Sequence, residues 1–164
     1  NESLDYSKSF YFVEFDLTLV YPEDFYDWSL RGGDSSEFDC PGMHKAVIEK
    51  VKEGKARYLV LDFPFGRDHH RFKDLIDLSV FVDTPLDVAM ARRITRDFLN
   101  NEAESAESRL QQLKEDLSHY VTKARFPYLD TYRHRDTADL VLDGWQSLES
   151  LRDQIVDEIK KGQQ

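Results

Sequence analysis

The sequence predicts an α/β fold, because four short apolar segments, each with an acid near its end, alternate with segments of helical periodicity. The apolar segments are FYFVEFD, RYLVLDF, LSVFVDT and ADLVLDG, and they begin at Phe10, Arg57, Leu78 and Ala138. Short apolar runs are typical of strands buried in a parallel sheet. Strands that alternate with helices favour right-handed crossovers, so we expect parallel strands whose acids leave the sheet at one edge.

Helical segments separate and follow the predicted strands. Single helices are expected over residues 43–52, 85–99 and 147–160, and a polar helix pair over residues 104–125. Gly54 is expected to end the first helix, and Thr84 to cap the second ahead of Pro85. Inward-facing stripes are expected at Val47, Ile48 and Val51 on the first helix, and at Leu148, Leu151, Ile155 and Ile159 on the last. With no repeat or linker in the sequence, we expect one domain over residues 1–164 with a core over about 10–160.

The composition limits the classes of function. A chain of 164 residues that is 40% hydrophobic and 13% aromatic can bury a real core. Its formal net charge of -10 disfavours nucleic acid as a partner, so any cationic site must be local. The single cysteine, Cys40, is expected to be a buried free thiol in a reducing compartment. No apolar run approaches ~18 residues and the first residues lack a signal-peptide pattern, so we expect a cytoplasmic protein without membrane association.

Carboxylates cluster at the ends of the first two predicted strands. Glu14 and Asp16 share one side of the first strand's end, and Asp62 ends the second. Acids placed in this way could hold a hydrated Mg²⁺ and accept a proton from a hydroxyl nucleophile. Two alternatives stay open: Asp62 also suits a turn before Pro64, and strand-ending acids without a catalytic role are common.

Three arginines lie in MARRITRD, on the helix that follows the third predicted strand. Arg92 and Arg96 are four residues apart and Arg93 and Arg96 three, so their guanidinium groups are expected to crowd one flank. A phosphate ligand would offset this repulsion through bidentate hydrogen bonds. A solvated face on which the arginines pair with Asp87 and Asp97 is the alternative.

The stretch YPEDFYDWSLRGGDSSEFDC, residues 21–40, fits neither the helical nor the strand period. It is rich in aromatic and acidic side chains, which would suit a polar ring or a sugar with hydroxyl groups. Long irregular segments inside a domain are often functional loops or short helices over a site. A solvated loop is the alternative interpretation.

Motifs of other catalytic classes are missing from the sequence. It contains neither G-x-S-x-G nor H-E-x-x-H, so serine hydrolases and zincins have no support. His69 and His70 are adjacent and cannot both face one metal from a helix side, and the other histidines are scattered. We therefore expect solvated or hydrogen-bonded histidines and no zinc site.

Three segments together resemble the uridine kinase and phosphoribulokinase group of P-loop kinases. VFVDTPLDVAMARRITRD is similar to that family's strand, D-x-P helix start and arginine-bearing lid; ADLVLDG resembles its ADIIIPxG last strand, and YPEDFYDW its DHPDAFD substrate segment. The resemblance runs from about Phe10 to Gly144. It implies a three-layer parallel sheet of the P-loop nucleoside triphosphate hydrolase type and a lid over about residues 92–109. It also implies ATP- and Mg²⁺-dependent phosphoryl transfer to a nucleoside, uridine-like, or to a related small hydroxyl metabolite.

The resemblance further implies roles for individual residues. Candidate substrate-binding residues are Asp24, Tyr26, Trp28 and Arg31, and candidate phosphate-binding residues are Arg92, Arg93 and Arg96. Candidate catalytic residues are Glu14, Asp16, Asp62 and Arg96, with Asp62 as the candidate metal ligand. Which of the three acids is the base stays open. The implied partners are ATP and a small-molecule acceptor, and a homo-oligomer stays open.

The sequence departs from the family pattern at two places. The lid has NNEAES where the family continues with an RGR step, and the 164 residues contain no G-x-x-x-x-G-K-[ST] motif. Gly54-Lys55 precedes Ala56 and is predicted to end a helix. A parallel sheet without its central strand would expose unpaired backbone groups along two edges, so we expect the first strand and the P-loop helix to lie outside these residues. The alternative is a catalytically inactive relative without a P-loop that acts as a binding or interaction domain.

Overall fold

The computed structural model describes residues 10–13, 25–100 and 104–162. Three candidate residues from the sequence, Glu14, Asp16 and Asp24, lie outside the described residues. The chain divides into two units, Asn1–Asp77 and Leu78–Gln164.

The first unit pairs two strands in parallel. β1 (Phe10–Val13) lies beside β2 (Tyr58–Leu61), with the first residues of the strands opposite each other and the last residues likewise. The described helices of this unit are α1 (Phe25–Leu30) and α2 (Pro41–Glu53), and 3₁₀ turns occur at Ser35–Glu37 and Gly66–Asp68. The expectation of parallel strands is therefore confirmed for this pair.

Helix α2 begins two residues before the predicted range 43–52 and ends one residue after it. Proline stands at its first position, where its missing N–H costs nothing. Gly54 ends it with φ 61°, in the left-handed region that a residue with a side chain rarely adopts. Met43 and Val47, one turn apart, are both buried, but Val51 is 58% exposed. The predicted stripe is wrong at Val51, because the interior contacts end one turn earlier.

Two adjacent clusters of buried side chains form the interior of the first unit. One cluster consists of Cys40, Met43, Val47 and Phe72, and the other of Trp28, Phe38 and Phe65. Phe63 packs against both clusters and so joins them. Cys40 is a free, buried thiol, as predicted. Each large side chain that is fully buried here contributes about 1.5–3 kcal/mol through removal of apolar surface from water.

The second unit contains the other parallel pair. β3 (Val80–Asp83) lies beside β4 (Leu140–Asp143), in a register that sets Asp83 opposite Asp143. Leu142 on β4 is completely buried. The prediction of parallel strands is thus confirmed here as well. The described strands form two hydrogen-bonded pairs, so a single three-layer sheet stays a prediction.

Most of the second unit is helical. Its helices are α3 (Leu86–Ile94), α4 (Ala106–His119), α5 (Arg125–Asp130) and α6 (Leu148–Lys161), and π-helical segments occur at Thr95–Leu99 and Tyr120–Ala124, with a 3₁₀ segment at Thr131–Arg135. The predicted helix pair over residues 104–125 is one helical run that the second π-helical segment carries into α5. Among the described helices, none combines the length and apolar character needed to cross a membrane.

Two helix starts differ from the sequence-based expectation. Pro85, rather than Thr84, occupies the N-cap of α3, because its ψ of 134° is still extended. Ser147 caps α6 as a serine should, accepting a hydrogen bond from the Ser150 amide at 3.2 Å. Leu148, the first residue of α6, is 80% exposed, so its predicted inward position is wrong, whereas the other three stripe residues of α6 are partly buried.

Gly144 lies where β3 and β4 end, and only a residue without a side chain fits there. Its amide donates to the Asp83 carbonyl at 2.9 Å, and a Cβ at this position would overlap the side chain of Thr84 and stand 2.9 Å from its Cα. We expect Gly144→Ala to lower the free energy of unfolding by about 1–3 kcal/mol, because the backbone of Thr84 must move. Urea denaturation measures this loss.

The control for this substitution is Gly162→Ala. A Cβ at Gly162 would meet its nearest atom at an ordinary 3.8 Å, so we expect its unfolding midpoint to stay near that of the wild type. Equal midpoints for the two variants would contradict the close approach at Gly144.

Candidate active site

Two of the three arginines after β3 line one open depression. Arg92 and Arg96 lie one helical turn apart. The other residues that line the depression are Ala91, Thr95 and Asn100. Nη1 of Arg92 donates to the carbonyl of Gly144 at 3.0 Å, which fixes that arginine against the end of β4. The side chain of Arg96 is 75% exposed. An anion that enters the depression therefore comes close to both arginine side chains.

The third arginine points to a different neighbour. Arg93 forms a bidentate ion pair with Asp116 of α4, with Nη1–Oδ2 and Nη2–Oδ1 distances of 2.9 and 2.5 Å. Its Nε also lies 3.7 Å from a carboxylate oxygen of Asp97. Arg96 donates to Asp97 at 2.5 and 3.1 Å. We expected the three guanidinium groups to crowd one flank of the helix. They do not, because Arg93 is turned toward Asp116 of α4.

Arg93, Arg96 and Asp97 stay charged at neutral pH. The hydrogen bond from Arg96 lowers the pKa of Asp97, and the same bond raises the pKa of Arg96. The hydrogen bond to Asp116 is the largest cause that raises the pKa of Arg93. Arg93 and Arg96 are thus each ionised beside a carboxylate, and the pairing with Asp97 is the one that the alternative interpretation, a solvated face, predicts.

Asp62 directly follows β2 and is exposed. Its carboxylate forms no hydrogen bond or ion pair within the described part of the chain. No group of three or more potential metal ligands occurs among the described residues. Mg²⁺ usually keeps several waters and takes only one or two carboxylates from the protein, so Asp62 fits the role of a single protein ligand.

The stretch 21–40 contains a short helix and a 3₁₀ turn, and its tryptophan is an interior residue. Trp28 is 3% exposed, contacts Phe38 edge to face at 4.9 Å and donates from Nε1 to the Asp34 carbonyl at 3.1 Å. Trp28 offers no open face to a ligand, whereas Tyr26 is only partly buried. The sequence could not separate these two aromatics, because burial depends on contacts with residues distant in the chain.

Arg31, the one basic residue of this stretch, is engaged in an ion pair. It donates to both carboxylate oxygens of Glu37 at 3.0 and 2.5 Å, and this lowers the pKa of Glu37. Glu37 also closes a capping box with Asp34 at the start of the 3₁₀ turn. An anionic ligand would have to replace Glu37 to bind Arg31.

A buried histidine beside Cys40 has a structural explanation. His69 is completely buried; its Nε2 donates to the Phe38 carbonyl at 2.8 Å, and its Nδ1 accepts from the Arg71 amide at 3.2 Å. A carbonyl can only accept and an amide can only donate, so these partners fix the neutral tautomer. Burial lowers the pKa of His69 and raises that of the Cys40 thiol 3.6 Å away, so no thiolate forms. The expectation of a hydrogen-bonded histidine is confirmed.

In the first unit an acid directly follows a parallel strand, and in the second unit two arginines lie on the helix after a parallel strand; each feature by itself is found in α/β proteins that bind phosphorylated ligands. The chain belongs to the phosphoribulokinase / uridine kinase family, whose model matches residues 42–130. The resemblance seen in the sequence is thereby confirmed.

Individual relatives support the same family. The uridine kinases of Shewanella sp. strain ANA-3 and of Escherichia fergusonii are 33% and 35% identical over 70 and 69 residues, which is 42% of this chain in each case and 33% and 32% of the relative. The uridine kinase of Shewanella denitrificans is 30% identical over 87 residues, or 52% of this chain and 41% of the relative. The chain thus spans about a third to two fifths of the length of these curated relatives. No solved structure matches it.

The family match covers part of the candidate site. Residues 42–130 include Asp62, the arginines of α3 and its π-helical continuation, and Asp116. The stretch 21–40, with its candidate substrate-binding residues, lies before the matched range, and the ADLVLDG segment lies after it. At the family level the chain is a kinase-type phosphotransferase relative.

Proposed function

We propose that the protein is an ATP- and Mg²⁺-dependent kinase that transfers a phosphoryl group to the hydroxyl group of a nucleoside of the uridine type. Family membership and the uridine kinases among its relatives support this proposal. The observation that carries it is the depression in which Arg92 and Arg96 stand one turn apart on the helix after β3. Arg92 forms no ion pair among the described residues, so a phosphate would supply its ionic partner, whereas a phosphate on Arg96 would compete with Asp97.

Arg92 and Arg96 are the proposed phosphate ligands. Charge develops on the oxygens of a phosphoryl group as it transfers, and preformed guanidinium donors stabilise that charge. Arg96 has most of its side chain in solvent, and its one ionic partner within the described ranges is the adjacent Asp97. Arg93 would reach a phosphate only by exchanging Asp116 for it.

Asp62 is the proposed Mg²⁺ ligand. When bound, Mg²⁺ neutralises charge on the β- and γ-phosphate oxygens of ATP. The proton of the attacking hydroxyl would pass to one of the three acids Glu14, Asp16 and Asp62, all of which lie at the ends of predicted strands. Within the stretch 21–40, Asp24 and Tyr26 are the proposed contacts to the nucleoside, while Trp28 is a core residue.

Product analysis tests this proposal. The protein expressed from its whole gene, incubated with ATP, Mg²⁺ and uridine, should form ADP and a nucleoside monophosphate in equal amounts. Cytidine, adenosine and a sugar monophosphate serve as competing acceptors. Hydrolysis of ATP that does not depend on an acceptor, or no consumption of ATP at all, would contradict the proposed function.

The magnesium requirement tests the role of Asp62. Asp62→Asn keeps the shape of the side chain and removes its charge, so we expect the Mg²⁺ concentration for half-maximal rate to rise by roughly tenfold or more. Asp74→Asn removes the charge of another exposed acid in the same unit and should leave the titration unchanged. If both variants titrate like the wild type, Asp62 is only a turn residue.

A further inference from the structure

The two arms of the helical hairpin that follows β3 are joined at two levels. The first arm consists of α3 and the π-helical segment Thr95–Leu99, and the second arm is α4. At one level Arg93 pairs with Asp116. At the other, Nη1 of Arg109 donates to the carbonyls of Phe98 and Leu99 at 3.2 and 3.0 Å. Arg93, early in the first arm, contacts Asp116, late in the second, and the end of the first arm contacts Arg109, early in the second. The two arms are therefore antiparallel.

Both contacts between the arms restrict the orientation of the groups that they join. The Arg93–Asp116 pair is bidentate, and its side chains are only 31% and 22% exposed. Such a planar fork fixes orientation as well as distance. The carbonyls of Phe98 and Leu99 close a helical segment, where carbonyl groups lack partners within the helix and carry partial negative charge. Arg109 therefore donates hydrogen bonds to carbonyls at the end of the first arm, and its positive charge is favourable beside their partial negative charge.

The placement of Arg93 decides where its neighbours lie. Successive residues on a helix are about 100° apart, so a helix that turns Arg93 toward α4 turns Arg92 and Arg96 to another face. Those two arginines line the depression, and Arg93 does not. If α3 rotated by one residue position, Arg93 would leave Asp116 and the depression would lose its pair of arginines.

We propose that Asp116 and Arg109 are positioning residues that fasten the two arms into a preassembled hairpin, and so hold Arg92 and Arg96 in the depression. Asp116 acts through Arg93, and Arg109 acts through the backbone carbonyls at the end of the first arm. The importance of this arrangement for phosphoryl transfer rests on the proposed function, because that function makes Arg92 and Arg96 the phosphate ligands.

Amide hydrogen exchange tests the fastening directly. Asp116→Asn removes the charge that holds Arg93, so we expect the amides of residues 86–99 to exchange roughly fivefold faster or more, since local opening becomes easier. Arg109→Met should accelerate exchange in the same residues. Asp116→Glu keeps the charge and should restore most of the protection. Unchanged exchange over residues 86–99 in Asp116→Asn would overturn the proposal.

The matched control is Glu115→Gln. Glu115 neighbours Asp116 on α4, is exposed and accepts a hydrogen bond from Gln111 at 2.6 Å rather than from an arginine. This substitution removes the same charge from the same helix and should leave exchange over residues 86–99 unchanged. An equal acceleration in Glu115→Gln would mean that helix charge, and not the contact with Arg93, protects the first arm, and would overturn the proposal.

Steady-state kinetics separate positioning from competition. If Asp116 positions the arm, Asp116→Asn should lower kcat severalfold with little change in the KM for ATP, and Asp116→Glu should recover most of it. If Asp116 instead competes with phosphate for Arg93, Asp116→Asn would raise kcat or lower that KM, and the proposal would be overturned. The exchange experiment needs no turnover. If the wild-type protein transfers no phosphoryl group, the proposed function is wrong. The hydrogen-exchange experiment would still show whether Asp116 and Arg109 hold the two arms together.

Discussion

Arg96→Ala is expected to lower kcat by roughly 10²-fold with only a modest change in the KM of the acceptor. Arg96 lines the depression, is 75% exposed and has its donors within reach of an incoming anion. Its guanidinium group would stabilise the charge that develops on the transferring phosphoryl oxygens, so we expect its contribution mostly in the transition state. Steady-state kinetics with ATP and the acceptor measure the loss.

The control for Arg96 is another arginine with the same local chemistry. Arg152 on α6 also pairs with the aspartate that follows it, Asp153, at 2.8 Å, and it is 66% exposed. Arg152→Ala should leave kcat within a factor of about two, because a surface ion pair of this kind contributes little. Both variants should melt cooperatively at temperatures near that of the wild type. Should Arg96→Ala turn over as fast as Arg152→Ala, the arginines of α3 are a surface feature and the site lies elsewhere.

Phe72→Ala is expected to lower the free energy of unfolding by about 3–5 kcal/mol. Phe72 is completely buried, shares a cluster with Met43 and Val47, and its ring centre lies 4.5 Å from that of Phe63. The deletion removes the transfer free energy of the ring and leaves a cavity that the helix and loop around it can fill only in part. Urea denaturation followed by circular dichroism measures the change.

Two further variants make the measurement at Phe72 decisive. Phe126→Ala deletes the same side chain at a position that is 39% exposed, so it should cost clearly less. Phe72→Leu keeps most of the volume and should lie between the wild type and Phe72→Ala. Equal losses for Phe72→Ala and Phe126→Ala would mean that Phe72 is not part of a packed interior.

The elements that the sequence predicts well are those whose limits depend on local chemistry. Gly54 ends α2 because a positive φ suits glycine, and Ser147 begins α6 because its hydroxyl accepts an amide hydrogen bond. The strands follow from short apolar runs, and the helix with the arginines follows from its periodicity. These features need no knowledge of what lies across the fold, so the residues themselves are sufficient to predict them.

The features that the sequence misses depend on residues far apart in the chain. Trp28 is interior because Phe38 and Phe65 close over it, and an aromatic residue among acids gives no local sign of that. Asp116 stands 23 positions after Arg93, so their contact appears only when the two helices of the hairpin are set side by side. The roles proposed for Glu14, Asp16 and Asp24 stay predictions, since these residues lie outside the described part of the chain.

The π-helical segment Thr95–Leu99 has an evolutionary consequence. Its hydrogen bonds span five residues where an α-helix spans four, as in the bond from the Asn100 amide to the Thr95 carbonyl at 3.0 Å, so it amounts to one inserted residue. A lineage that deleted one residue here would regain α-helical bonding, but the carbonyls of Phe98 and Leu99 would swing by about 100° away from Arg109. Gaps in aligned relatives should therefore avoid this segment unless position 109 changes in the same lineage.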